Sequence, residues 1–318
     1  MIPVVDSFGR RFNYLRLSVT GRCNFHCQYC SLPKDRRDAM SLQEILRIAR
    51  VAASLGVVKV RLTGGEPTVR ADLLEIVRGI SRIPGIQRLV MTTNGAKLAG
   101  MARALRAAGL QGANVSLDSL HAARFRSIAR GGEIEPVLEG IRAAKAAQFH
   151  PLKVNMVVMG GVNDDEVVSF AELAAELGLE VRFIEYMPMN AGEDRSWTVP
   201  YQVLLERVGA RFSLQPLEPG QDAGPAELYR LAGTSGVVGF IHAMSNPFCA
   251  RCNRLRVTAE GKIRSCLLTG GEVDLLRLIR EGADDEALAE QFREAAFLKP
   301  EVYELHRHGS IAMRSIGG

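Results

Sequence analysis

In the N-terminal part of the chain, six runs of β-type residues alternate with helical ones. The strand candidates cover residues 14–20, 57–63, 88–93, 113–118, 152–158 and 181–187. Helix candidates fall between them at 41–55, 71–81, 97–108, 133–147 and 164–177. Ser41 reads as an N-cap with Glu44 three residues later, and Gly56, Gly109 and Gly178 stand just past helix ends. Such alternation predicts an α/β fold with parallel strands joined by right-handed crossovers. The pattern leaves open whether the sheet is flat or curled into a barrel.

Parallel strands are ordinarily apolar on both faces. Here one face is polar. Leu15, Leu17 and Val19 alternate with Arg16, Ser18 and Thr20, and Val58, Val60 and Leu62 with Lys59, Arg61 and Thr63. Ala113, Val115 and Leu117 alternate with Asn114, Ser116 and Asp118, Lys153 and Asn155 oppose Leu152, Val154 and Met156, and the sixth run adds Arg182. A solvated antiparallel face is the ordinary explanation, and the intervening helices weigh against it. With helices on the apolar side, Arg16, Lys59, Arg61, Lys153 and Arg182 line a wet lumen or cleft. Buried unpaired cations are costly, so this face is expected to receive an anion. Composition agrees only loosely. The formal net charge is +5, and 33 of the 40 basic residues are Arg. That skew suits bidentate phosphate binding, but genomic base composition also explains it.

The six Cys form two groups, Cys23, Cys27, Cys30 and Cys249, Cys252, Cys266. In a chain without a signal peptide or an apolar run near the ~20 residues of a membrane span, the expected location is cytoplasmic and clustered thiols point to metal. Three thiolates within eight residues can hold an iron–sulfur cluster with one open iron. Zinc is the alternative, with His26 as a fourth ligand for the first group and His242 for the second. After about residue 195, breaker clusters and short β-like runs at 236–242, 255–258 and 262–265, with a helical run at 273–280, replace the alternation. The expected division is therefore 1–195 and 196–318, the second part carrying the second Cys group.

Cys23-x3-Cys27-x2-Cys30 after a first strand, with Tyr29 before the last Cys, resembles the radical S-adenosylmethionine (SAM) signature, and Gly64-Gly-Glu-Pro67 resembles that family's SAM-binding segment. With the second Cys group and a terminal Gly317-Gly318, the whole chain resembles the GTP 3′,8-cyclase family of molybdenum cofactor biosynthesis. The likeness runs through Leu15–Thr20, Arg22-Cys-Asn24, Arg61–Pro67, Thr92–Gly95, Asn114–Asp118, Arg182–Met187 and Cys252–Arg256. The resemblance implies a partial (β/α)6 TIM-like barrel with a smaller C-terminal domain and two [4Fe–4S] clusters. Cys23, Cys27 and Cys30 would hold the cluster that binds SAM, and Cys249, Cys252 and Cys266 the cluster that binds the purine of GTP. Tyr29, Gly65, Ser116 and Met187 would contact SAM. Arg16, Arg61, Thr92, Lys153, Arg254 and Arg256 match the family's GTP contacts, with Lys59 and Arg182 added around the triphosphate.

The implied reaction is hydrogen abstraction from C3′ of GTP by a 5′-deoxyadenosyl radical, then attack on C8 of guanine and reduction to 3′,8-cyclo-7,8-dihydro-GTP. The implied partners are cyclic pyranopterin monophosphate synthase and a flavodoxin- or ferredoxin-type electron donor, with a homodimer left open. Gly317 and Gly318 would reach the active site. The chain departs from the family pattern at Gly21, where Asp is common, at Ser-Leu-Pro after Cys30, in a short stretch between Cys30 and Ser41, and in a short segment before the terminal glycines. Two other readings stand beside this one. A peptide-modifying radical SAM enzyme would leave the basic face without a purpose. A zinc-stabilised nucleic-acid-binding protein would want a basic tract interleaved with aromatics, and aromatics make up only 6% of the chain.

Overall fold

The structure, a computed structural model, describes residues 4–30, 39–188, 195–218, 224–268 and 272–302. All six expected strands form: β1 (Tyr14–Ser18), β2 (Lys59–Thr63), β3 (Arg88–Thr93), β4 (Gly112–Ser116), β5 (Leu152–Val158) and β6 (Glu180–Glu185). They pair in parallel and in chain order. The expected helices are α1 (Leu42–Ser54), α2 (Leu73–Ser81), α3 (Leu98–Ala107), α5 (Ile134–Ala146) and α6 (Val167–Leu177). An additional helix, α4 (Ala122–Ala129), precedes α5. Ser41 caps α1 as its sequence indicates, Glu44 N donating to Ser41 Oγ and Ser41 N to Glu44 Oε2. Past α6, Gly178 takes a left-handed φ of +60°, where any other residue would be strained.

The apolar sides of the strands pack under these helices. Leu15, Leu17, Val60, Leu62, Val115, Val154 and Met156 are fully buried, with Ile45, Ile76, Leu105, Val137 and Phe170 from the helices closing over them. The polar sides therefore face the other way, as their alternation predicts.

The C-terminal residues add α7 (Tyr201–Gly209), β7 (Leu214–Leu217), β8 (Glu227–Leu231), β9 (Val237–Ile241), β10 (Arg254–Val257), β11 (Lys262–Arg264), β12 (Glu272–Asp274), α8 (Leu275–Arg280) and α9 (Asp285–Phe297). Their strands extend the same sheet at both edges, in the order β12-β11-β10-β1-β2-β3-β4-β5-β6-β9-β8-β7. β10 runs parallel to β1, with Leu15 opposite Leu255 and Arg16 opposite Arg256, and β9 runs parallel to β6. Outside the sheet, α8 and α9 are tied to α1 by Arg280 with Glu44 at 2.9 Å and Arg47 with Asp285 at 2.7 Å. Among the described residues no helix is long and apolar enough to cross a membrane.

Leu62 has no solvent exposure and packs between sheet and helices. Leu62→Ala should lower the stability of the cluster-free protein by about 2–5 kcal/mol, the usual cost of such a truncation. Urea unfolding checks this, and a loss below about 1 kcal/mol would contradict the packing described.

Candidate functional site

Eight neighbouring strands turn one face toward a single cavity of about 470 Å³, so the sheet curls around it. The register arranges the lining in rows. Arg254, Tyr14, Lys59 and Arg88 are successive partners across β10, β1, β2 and β3. Arg256, Arg16 and Arg61 form the next row. Thr92, Asn114, Lys153 and Glu180 continue on the far side, and Arg182 lies opposite Asn155. The cations singled out in the sequence, Arg16, Lys59, Arg61, Lys153, Arg182, Arg254 and Arg256, thus share one lining with Thr92 and Met187. Arg10, Arg88 and Lys299 join them, and Glu180 is the one carboxylate of the lining among the described residues.

Local partners fix these charges. Arg61 donates from Nε to the Tyr14 hydroxyl at 2.5 Å and from Nη1 to Thr92 Oγ1 at 3.2 Å. Glu180 accepts from Lys153 Nζ at 2.6 Å and from Arg182 Nε at 2.5 Å. Burial by itself would push the Tyr14 phenol up, but the charges of Arg61, Arg16 and Lys59 outweigh it and bring the group down to about 7. Burial lowers Arg16 to about 10 and Arg256 well below its ordinary value. Burial and then the Arg182 charge bring Lys153 down to about 8, against the pull of Glu180. Cations so crowded and so short of water favour a multiply charged anion.

The two Cys groups sit at opposite ends of this lumen. Cys252 directly precedes β10, whereas Cys23 follows the far end of β1, and the two strands are parallel. Cys249 opens a short 3₁₀ turn, Cys249–Arg251, and Cys266 follows β11; all three thiols of this group line the cavity. Burial would raise the Cys252 thiol, but Arg254 and Lys299 pull it down to about 6, so it is a thiolate at neutral pH.

The first group rides on a loop held from two sides. His26 N and Gln28 N donate to the carbonyls of Ala129 and Ile128 at the end of α4, and Phe25 meets Phe125 edge-on at 6.0 Å. The Gly-Gly-Glu-Pro segment holds the other side, Gly65 N donating to Thr20 O and Glu66 N to Arg22 O. A Cβ at Gly65 would lie 2.2 Å from the Arg22 carbonyl oxygen and 2.9 Å from that of Gly21, so only glycine fits. Glu66 turns inward to bind Thr68, Thr93 and Asn94 N. Tyr29 donates its hydroxyl to Asp118 Oδ2 at 2.7 Å, while Asp118 Oδ1 accepts from Val157 N. Burial pushes Asp118 up to about 6. Ser116 ends β4 opposite Asn155.

None of the six Cys takes part in a disulfide. No three Cys, His, Asp or Glu side chains among the described residues converge closely enough to share a single ion. Groups of three soft donors at either end of a lumen fit two multi-iron centres. The zinc alternatives lose their fourth ligands. His26 is exposed, and buried His242 has Nδ1 2.6 Å from Asn246 O and Nε2 2.9 Å from Glu227. Gly317 and Gly318, the residues between Cys30 and Ala39, and those before the terminal glycines lie outside the described residues, whereas Gly21 is buried beneath Gly65.

Several site residues escaped the sequence reading. Tyr14, Arg88 and Glu180 carried a usable signal, since each stands at an even spacing from a lumen residue of its own strand. Arg10 and Lys299 act through tertiary contacts for which spacing gives no sign.

Residues 17–174 match the radical SAM superfamily, and residues 179–305 match the family described as Molybdenum Cofactor Synthesis C. The chain is 46% identical to a GTP 3′,8-cyclase of Geobacter sulfurreducens, covering 100% of each chain. It is 44% identical to one of Moorella thermoacetica, covering 98% of this chain and 99% of the relative. Among solved structures, Streptococcus suis SuiB bound to precursor peptide SuiA superposes with a TM-score of 0.65, covering 84% of this chain and 64% of that one. At 15% identity this likeness is one of fold alone.

Two expectations follow from the geometry. Gly65→Ala should displace the loop bearing Cys23 and lower the iron bound by the first group while the second group keeps its share; iron and sulfide analysis after anaerobic reconstitution checks this, and full iron content would contradict it. For pH, the phenol of Tyr14 gains negative charge above about 7 and Lys153 loses positive charge above about 8, both weakening anion binding. The affinity for inorganic triphosphate should thus fall as pH rises from about 7 to about 9, with the onset moved upward in Tyr14→Phe. A flat profile would contradict this.

Proposed function

The chain belongs to the GTP 3′,8-cyclase family of radical SAM enzymes, and on that premise we propose how its own residues divide the work. The reaction takes GTP and SAM to 3′,8-cyclo-7,8-dihydro-GTP, 5′-deoxyadenosine and methionine, the first step of molybdenum cofactor biosynthesis. The enzyme carries two [4Fe–4S] clusters. When bound, the first cluster with SAM supplies the 5′-deoxyadenosyl radical that starts the chemistry.

In this reading Arg16, Lys59, Arg61, Lys153, Arg182, Arg254 and Arg256 bind GTP, the triphosphate against the rows on β10, β1 and β2. Thr92 accepts from Arg61 and keeps its fork turned into the lumen. Cys249, Cys252 and Cys266 hold the second cluster, at the purine end. Cys23, Cys27 and Cys30 hold the first, with Tyr29, Gly65, Ser116 and Met187 around SAM. Asp118 accepts the Tyr29 hydroxyl proton in a hydrogen bond and so fixes the ring on that side. The observation that carries the reading is that the second Cys group and the cations of six strands line one cavity, so a single ligand can touch both. The apolar elements over the lumen's outer face exclude bulk water, which protects a radical from quenching.

The same proposal takes residues 1–195 as the SAM-binding part and 196–318 as the part with the second cluster. It brings the Gly317-Gly318 tail to the substrate. It hands the product to cyclic pyranopterin monophosphate synthase, and it draws electrons from a flavodoxin- or ferredoxin-type donor in the cytoplasm. It leaves a homodimer open.

Anaerobic incubation of reconstituted protein with reductant and SAM should form 5′-deoxyadenosine faster when GTP is present. Equal rates with and without GTP would sink the reading. Arg61→Ala should weaken GTP binding by ~1.5–3 kcal/mol through loss of a charge-assisted contact, and unchanged affinity would remove Arg61 from the site.

A further inference from the structure

Lys299, just past the end of α9, is a lysine with only 4% exposure. No carboxylate among the described residues forms an ion pair with it. Its ammonium donates to the carbonyl of Ser265, the residue before Cys266, and at 3.2 Å to that of Arg254, two residues after Cys252. The ring of Phe12 closes the remaining side, its centroid 5.5 Å away. A buried ammonium is costly unless something offsets it. Burial pushes the Lys299 ammonium below its ordinary range and Arg254 and Arg256 push the same way; the negative partners on hand are Cys252 and Cys266, whose charges work against that lowering.

The seat of this lysine is built by Arg10, which uses all five of its N–H donors. Nε pairs with Asp6 at 2.5 Å. Nη2 donates to the carbonyls of Lys299 and Pro300 at 3.2 and 2.8 Å, and Nη1 to those of Cys249 and Glu301 at 3.0 and 3.2 Å. One guanidinium therefore locks the backbone of Lys299 to the turn that bears Cys249. This is more than packing needs, since an apolar side chain would fill the space beside Phe12 without a charge.

We infer that Lys299, seated by Arg10, is a positioning residue that fixes a positive charge beside the thiolates of the second cluster and raises its reduction potential. The inference rests on the reading that Cys249, Cys252 and Cys266 hold that cluster. Reduction adds one negative charge to a cluster, and a fixed cation in a low-dielectric site stabilises the reduced form more than the oxidised one. The lysine thereby makes the purine-side cluster easier to reduce by an external electron donor and holds it in the reduced form at a less negative potential.

The test is an EPR-monitored redox titration, without GTP, of full-length protein in which Cys23, Cys27 and Cys30 are all replaced by Ala, so that only the second cluster is seen. Lys299→Met in this background should keep its iron and titrate at a lower midpoint potential, and Lys299→Arg should recover most of the shift. An unchanged or raised midpoint at full iron content would overturn the inference. If Lys299→Met loses its iron, Arg10→Lys, which keeps Lys299 but loosens its seat, carries the titration; a lower midpoint supports the inference and an unchanged one overturns it. If the background protein itself binds no cluster, the ligand reading fails instead, and with it the premise.

Discussion

Arg16 stands between Arg61 and Arg256, its register partners on β2 and β10. This row of guanidinium groups on the concave side of a parallel sheet is the constraint on which the rest of the structure turns. Guanidinium groups hold their charge more firmly than any other side-chain cation; burial lowers Arg16 only to about 10, and it depresses Arg256 as well. The sheet must therefore curl around them and leave room for an anion rather than pack a second layer on that face. The same demand accounts for the few negative or polarisable neighbours, Tyr14 under Arg61 and Glu180 between Lys153 and Arg182. A lumen of this kind is less stable empty than filled, since a bound anion relieves repulsion that the protein maintains without it.

The direction of β10 distributes the chemistry. Because β10 is parallel to β1, the residues just before it and those just after β1 lie at opposite ends of the cavity. A ligand spanning the lumen can then reach toward both Cys groups, with the rows of cations along its length. The loop of the first group gains its shape from outside itself, from the carbonyls at the end of α4 and from the glycine pair that packs on residues 20–22. The glycines therefore act first on the loop that carries the thiols.

Much of this was legible in the sequence because it follows from alternation. Lys59 and Arg61, or Lys153 and Asn155, share a face once their runs are strands, and the helices between the runs decide which face is covered. The Cys spacings are equally local. What escaped was either short or nonlocal. α4 has only eight residues, yet it supports the first Cys loop. β12 has three residues and β7 four, too few for a period to show. The pairing of β10 with β1 joins residues 240 positions apart along the chain (Tyr14 with Arg254), and nothing in either segment names the other. Arg10 and Lys299 fail to stand out for the same reason, since their meaning lies in carbonyls presented by distant segments.

The placement of β9 and β10 at the flanks of β6 and β1 also bears on how the protein is made. A ribosome delivers the N-terminal part first, and until residue 257 has emerged β1 has no outer neighbour; until residue 241, neither has β6. The nascent six-stranded body thus carries two bare parallel edges, the kind of surface that recruits other chains. Its first Cys loop, by contrast, finds its supports at residues 64–66 and 128–129, all synthesised early. The first Cys loop can therefore take its shape before the sheet closes, whereas the second Cys group, flanking β10 and β11, takes its place only as the sheet closes. The order in which the two Cys groups take shape is written into the order of the strands.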